Sequence, residues 1–363
     1  MTYRRTQARS AYIYWAKLSS SARFNLAGSG IQSLLFNELP LRLSDLEISA
    51  PGSYGYRPLQ ERLARRYGVP PGCVVSAIGT SMANYLAMSA ALEPGDEVVI
   101  EQPGYDPLLE IARYLGAVVR RLPRRPELGF QIRFDDLERL VSKSTRLIVL
   151  TNLHNPSGAL LEEATLRQIG EIAQSNGARV LVDEVYLEML FDQPVRSAFH
   201  LGPHFLVTSS LTKAYGLSGL RCGWVLAGPE LAERMWRLND LFGNITAHAA
   251  ERMSVCALDH MEEISARSQA LLTHNWKTVE RFLAAHHDLE TLRPPGGTIL
   301  FPRAPHGDGD ALCKLLREKY ETSVVPGKFF EMPDRVRIGI GGDTKEVEEG
   351  LNRVSQALKE LQV

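Results

Sequence analysis

The chain has 363 residues, enough for one large domain or two. Hydrophobic residues make up 44% and charged residues 23%, an ordinary balance for a soluble globular protein, and the formal net charge of −1 favours neither nucleic acid nor an anionic membrane as partner. The four cysteines, Cys73, Cys222, Cys256 and Cys313, lie far apart with no CxxC pair. That spacing argues against a disulfide framework or a zinc site and reads as reduced thiols in a cytoplasmic protein.

The N-terminal stretch MTYRRTQARSAYIYWAKLSS is basic, but it has no sustained apolar core and no clear cleavage site. Its aromatic cluster, Tyr12 to Trp15, is expected to pack an N-terminal helix onto the body. In GYRPLQERLARRYG (55–68), Leu59, Leu63 and Tyr67 recur every four residues and share one helical face. Short apolar runs then alternate with helical patterns up to about residue 245. The candidate strands are CVVSAI (73–78), EVVIEQ (97–102), AVVRRL (117–122), RLIVLTN (146–152), RVLVDEV (179–185), FLVTSS (205–210) and CGWVLAG (222–228). Most are continuous apolar runs, which marks strands covered on both faces. Alternation of this kind predicts an α/β fold with a mainly parallel central sheet flanked by helices. The basic run RRLPRR (120–125) reads as an exposed strand end and loop.

Residues 246–287 read as long helices. A shorter α+β unit follows, with turns at RPPGGT (293–298) and VVPGKFF (324–330), a strand at RVRIGI (335–340) and a closing helix over 344–360. The expected division is a large domain over 41–245 and a smaller one formed by 1–40 and 246–363, with a helix near 246–287 bridging them. No apolar run reaches membrane-spanning length. The nine histidines show no HxH spacing, so no metal site is expected, and His154 reads as a packing or supporting residue.

In open α/β sheets ligands bind beyond the carboxyl ends of the strands. Gly79-Thr80-Ser81, Tyr105, Asn155, Asp183, Ser210 and Lys213 all close a strand or open the next loop. A helix opening at Gly79-Thr80-Ser81 suits a phosphate, although alone it reads as an ordinary cap. HNPSG (154–158) is alone a common turn. A carboxylate at Asp183, emerging from a buried strand, needs a partner: a helix salt bridge or a ring cation. Lys213 alone reads as a surface lysine. Beside Ser210 and Arg221, which can grip a phosphate, it reads as a desolvated amine able to form a Schiff base.

These motifs together resemble the class I/II aminotransferase family of fold-type I pyridoxal-phosphate enzymes. SSLTKAYGLSGLRCGW (209–224) is similar to the family's lysine motif, HNPSG to its H-N-P-[ST]-G, and DEVY (183–186) to its D-E-x-Y. GYRPLQERLARRYG resembles the family's N-terminal G-x-x-x-L-R helix, and VVPGKFF and RVRIGIGG its C-terminal turn and arginine-bearing strand. The matches run in the family's order over about residues 24–342. The resemblance implies pyridoxal 5′-phosphate joined to Lys213 as a Schiff base, with the freed amine then moving a proton as base and acid. It implies Asp183 on the pyridinium nitrogen, and Tyr186 and Asn155 on the ring oxygen. Tyr105 would stack on the ring, and Gly79, Thr80, Ser81, Ser210 and Arg221 would bind the phosphate. Arg337 would take the substrate carboxylate, with Asn155 and Gly28 also on the substrate; Arg337 fits the motif better than Arg335, which shares its face. Lys213, Asp183 and Tyr186 form the catalytic set.

The chain departs from the pattern in three places. The segment APGSYGYRPLQ (50–60) is compressed, so that Tyr54, or else Tyr56, would reach a partner subunit's phosphate. Thr298 follows Pro-x-Gly-Gly where an aromatic is common, and Gln60 replaces an arginine. The expected function is amino-group exchange between an amino acid and a 2-oxo acid, by a homodimer with no nucleic-acid or membrane partner. The alternatives are β-lyase, decarboxylase, racemase or cyclase chemistry on the same residues. A non-catalytic cofactor-binding regulator is disfavoured, since the match from residue 24 leaves no room for a DNA-binding segment ahead of it.

Overall fold

In the computed structural model, residues 9–43, 46–49, 52–193, 195–287 and 289–361 are described. The start of the basic N-terminal stretch lies outside them. The large sheet comprises β1 (Val74–Ile78), β2 (Glu97–Gln102), β3 (Val118–Pro123), β4 (Thr145–Thr151), β5 (Arg179–Asp183), β6 (Phe205–Ser210) and β7 (Cys222–Leu226). Its order is β1-β7-β6-β5-β4-β2-β3, and β7 is antiparallel to both neighbours while the remaining adjacent pairs are parallel. The chain's α/β, mainly parallel architecture is therefore as the pattern predicted.

The alternation of side chains explains why the strands read as unbroken apolar runs. Val180, Val182 and Val207 enter one core, while Leu181, Leu206 and Val225 enter the core on the opposite face. Burying each such side chain stabilises the fold by roughly 1.5–3 kcal/mol. The helix Arg57–Tyr67 docks through Leu59 and Leu63, as its four-residue period predicted.

β7 is reversed for a physical reason. Parallel strands need a crossover of roughly a dozen residues or more, usually carrying a helix. The link from β6 to β7, Leu211 to Arg221, holds only turns and a short 3-10 segment (Ser218–Leu220), so the chain doubles back. Ser210 thus faces Gly223 in the ladder, and Lys213 and Arg221 emerge at the same edge.

Beyond this sheet, Ile299–Leu300, Val325–Pro326 and Val336–Gly339 form a small antiparallel sheet, with Val336–Gly339 in the middle. Phe24–Asn25 returns from the N-terminus to pair in parallel with Thr322–Ser323. A separate core joins Leu26 to Val279, Ile338, Val347 and Leu351. The 25-residue helix Met261–Ala285 spans both regions: Met261, Ile264 and Leu272 enter the large-sheet core, and Val279 and Phe282 the smaller one. Among the described residues, no helix is long and apolar enough to cross a membrane.

RRLPRR departs from expectation at Leu122 and Arg124, which are both buried. Arg124 is fully buried and donates to Glu101 at 2.7 Å and to the Phe130 carbonyl at 2.6 Å. Tolerance of a buried cation requires such a partner.

Candidate active site

The strand ends gather around one cavity of about 250 Å³. Thr151, Asp183 and Thr208 stand side by side across β4, β5 and β6. The cavity is lined by Thr80, Ser81, Tyr105, Asn155, Asp183, Tyr186, Ser210, Lys213 and Arg221, all expected from the sequence. Tyr12, Ser29, Asn84 and Thr212 also line it.

Asp183 is buried and held from two sides. Asn84 Nδ2 donates to Oδ2 at 2.8 Å and the Val185 N–H to Oδ1 at 3.1 Å. Asn84 is fixed in turn by Thr208, whose hydroxyl donates to its amide oxygen at 2.6 Å. Burial pushes the Asp183 carboxyl up to about 6, against the pull of those donors. A cation brought beside it would relieve that desolvation. Asn84 was not singled out from the sequence. Its signal was a lone amide in an apolar helix, three residues past Ser81 and four past Thr80, which places it on their face.

Lys213 Nζ donates to Ser29 Oγ at 3.0 Å, and the Tyr186 hydroxyl donates to the same oxygen at 2.9 Å. Burial, aided by the positive Arg337 and Arg221, holds the Lys213 ammonium below its usual range. Ser29 sits one residue past Gly28. Gly28 is exposed and does not line the cavity.

The helix Gly79–Ala91 opens at the cavity with no side chain capping its first turn. Gly79 has φ of 69°, and its N–H donates to the Arg221 carbonyl at 2.7 Å. A Cβ at Gly79 would lie 2.3 Å from Arg221 Nη2, and one at Gly223 would lie 2.3 Å from the Gly79 carbonyl carbon. Only glycine lets the guanidinium lie over this helix start. Thr80 Oγ1 donates to Ser210 Oγ at 2.8 Å.

Arg335 and Arg337 are both buried, in different settings. Arg335 pairs with Glu290, donates to the Phe301 carbonyl at 3.0 Å and lies between the rings of Phe130 and Phe301. Arg337 donates to Asn155 Oδ1 at 2.9 Å, the Tyr12 hydroxyl at 2.7 Å and the Ala27 carbonyl at 3.3 Å. It has no carboxylate partner among the described residues, and its Nε is buried without any partner. Asn155 is anchored from below: its N–H donates to Thr151 Oγ1, whose own hydroxyl donates to Glu101, the partner of Arg124. His154 bonds Ser157 and the Pro103 carbonyl, and burial holds its imidazolium well below the usual range, so it supports the HNPSG turn.

Tyr54 lies outside this cavity. It is half exposed, stacks on Trp236 and bonds Asp240 and Arg237. Tyr56 packs edge-on against His248.

The donor set suits a planar, phosphorylated ring aldehyde. It offers an uncapped helix start with an arginine over it, a carboxylate for a ring cation and an amine of depressed basicity. Thr212 Oγ1, on the cavity wall, is buried without a partner among the described residues.

The sequence matches the family described as aminotransferase class I and II over residues 48–354. The chain belongs to that family, whose cofactor is pyridoxal 5′-phosphate. It is 33% identical over 350 residues to a capreomycidine synthase of Streptomyces vinaceus, covering 93% of this chain and 90% of that one. Its fold is similar to a PLP-dependent aminotransferase from Streptococcus suis (TM-score 0.92, 26% identity, 97% and 98% coverage). It is also similar to the PLP-dependent cyclase OrfR (TM-score 0.88, 26% identity, 99% of both chains).

Proposed function

We propose that the protein transfers an amino group between an amino acid and a 2-oxo acid, with Lys213 as the base that takes the Cα proton. The observation that carries this reading is the convergence of Lys213 and Asp183 on one cavity, with the carboxylate-free cation Arg337 bonded to the lining residues Asn155 and Tyr12. In this reading Lys213 would hold the cofactor through its aldehyde, and Asp183 would keep the ring nitrogen protonated. Tyr186 and Asn155 would bond the ring oxygen, and Tyr105 would cover a ring face. Thr80, Ser81, Ser210 and Arg221, with the backbone turn at Gly79, bind the phosphate. When bound, pyridoxal phosphate supplies an electron sink for the pair left at Cα. Lys213, its basicity lowered by burial, takes and returns the proton. Arg337 and Asn155 orient the substrate carboxylate. We further propose a cytoplasmic homodimer. The exposed position of Tyr54, outside its own chain's cavity, supports its reaching a second copy's phosphate site.

A second reading is cyclisation of an amino acid on the same residues. It is favoured by the match to capreomycidine synthase over 93% of the chain, and by the full-length likeness to a cyclase. Both readings begin with Cα deprotonation and part afterwards.

The test is to give single amino acids, without oxo acid, to the cofactor-loaded protein. Release of one equivalent of oxo acid with pyridoxamine phosphate supports transfer. Catalytic turnover to a cyclised product without oxo acid moves the assignment to the second reading. Absence of Cα hydrogen exchange in D2O with every amino acid would sink both.

A further inference from the structure

Arg337 is the carboxylate anchor in the reading above, yet its guanidinium does not itself line the cavity. Tyr12 and Asn155 stand between them. The Tyr12 hydroxyl accepts from Arg337 Nη2 at 2.7 Å, and the ring lies against the guanidinium, 5.3 Å from its centroid. A phenol that accepts from a cation is a stronger donor on its other side. Among the described residues no acceptor takes that hydrogen, and the side chain faces the cavity.

The position is built. Tyr12 belongs to the helix Ala11–Leu18, whose start is capped by Ser10 Oγ accepting from the Ile13 N–H at 3.1 Å. The Ser10 hydroxyl donates onward to Asp106, which opens the helix beside Tyr105. Trp15 packs on Phe329 at 5.5 Å, and Tyr12 meets Tyr105 edge-on at 5.9 Å and Phe330 at 5.6 Å. Ile13 and Ala16 of the same helix also line the cavity.

We infer that Tyr12 is a substrate-recognition residue: its hydroxyl, backed by Arg337, donates to the carboxylate of the amino acid. The N-terminal helix is thereby a wall of the active site, with Ile13 and Ala16 facing the substrate. This rests on the reading of Arg337 as carboxylate anchor.

The test separates the two. The probes are N-(phosphopyridoxyl)-L-alanine and N-(phosphopyridoxyl)-ethylamine, which differ only in the carboxylate. Their binding to the full-length, cofactor-free chain is measured by calorimetry. The wild-type chain should prefer the alanine conjugate by about 100-fold, and Tyr12→Phe should cut that preference by about 10-fold, the loss of one hydrogen bond to a charged group. Tyr12→Phe keeps the ring contacts, so binding of the ethylamine conjugate should stay unchanged. An unchanged preference in Tyr12→Phe overturns the inference. Equal weakening of both conjugates also overturns it, because the residue would then only dock the helix. Wild-type protein with no preference at all fails the Arg337 reading, and this inference with it.

Discussion

Arg335, just before the strand Val336–Gly339, and Arg337, within it, are each about 1% exposed, yet their surroundings differ in kind. At Arg335 the charge is met by Glu290, backbone carbonyls and two aromatic faces. At Arg337 the oxygens are neutral: an amide, a phenol and a carbonyl. A buried cation without an anion is costly. One site is finished by the chain; in the proposed reading, the other is finished when an anion arrives. Burial alone does not separate a structural arginine from a binding one; the charge of its neighbours does.

The comparison presupposes a cofactor at Lys213. Lys213→Ala should leave no borohydride-fixed cofactor on the protein by mass spectrometry and reduce kcat by about 10⁴-fold, the upper range for a lost proton-transfer group. A variant that still turns over at the wild-type rate would remove the frame in which the two arginines are compared. Arg337→Lys should lower kcat/KM by roughly 10²–10³-fold, since lysine cannot make the bidentate pair, with cofactor affinity unchanged. Gly79→Ala should do the reverse. It displaces Arg221 and should weaken cofactor binding by about 10–100-fold in equilibrium dialysis. Arg335→Met should change kcat/KM less than twofold but lower Tm by about 2–4 °C, because Glu290 can turn to water. A catalytic collapse there would erase the distinction.

A further effect is expected on pH dependence. Burial raises Asp183 to about 6 and Glu184 to about 8. A carboxyl raised in the folded state contributes stability that is fully present below its unfolded value and lost as pH rises through the folded one. Cofactor-free protein should therefore melt lower as pH climbs from the ordinary carboxylate range, in a first step that is complete near 6 and worth at most about 3 kcal/mol, and a second that is complete near 8. Asp183→Asn should remove the first step. Bound cofactor should flatten it, since a ring cation then favours the carboxylate.

The half of the cavity that faces the cofactor was legible in the sequence because its residues sit at strand ends. Asp183 and Ser210 each close a strand at its carboxyl end, and Lys213 and Arg221 lie in the short link that follows Ser210. On the side assigned to the substrate, only Arg337 and Asn155 were legible, through their motifs. Tyr12 reads as a packing aromatic, and its hydroxyl finds Arg337 only because the chain's two ends fold together. In the 25–31 loop the inward residue is Ser29, one position from Gly28. In an extended segment that single step exchanges faces, and sequence alone carries no register for it. Arg124 was misplaced for a similar reason, since its partner Glu101 lies on the neighbouring strand.

The glycine pair beneath Arg221 has a mutational consequence. Gly223 has no room for a methyl group because Gly79 is there, and Gly79 has none because Arg221 is there. Two distant segments are thus coupled: a methyl group at Gly223 would meet the Gly79 backbone, and one at Gly79 would sit at a φ of 69° and push the Arg221 guanidinium aside. A change at either position should therefore be felt at the other.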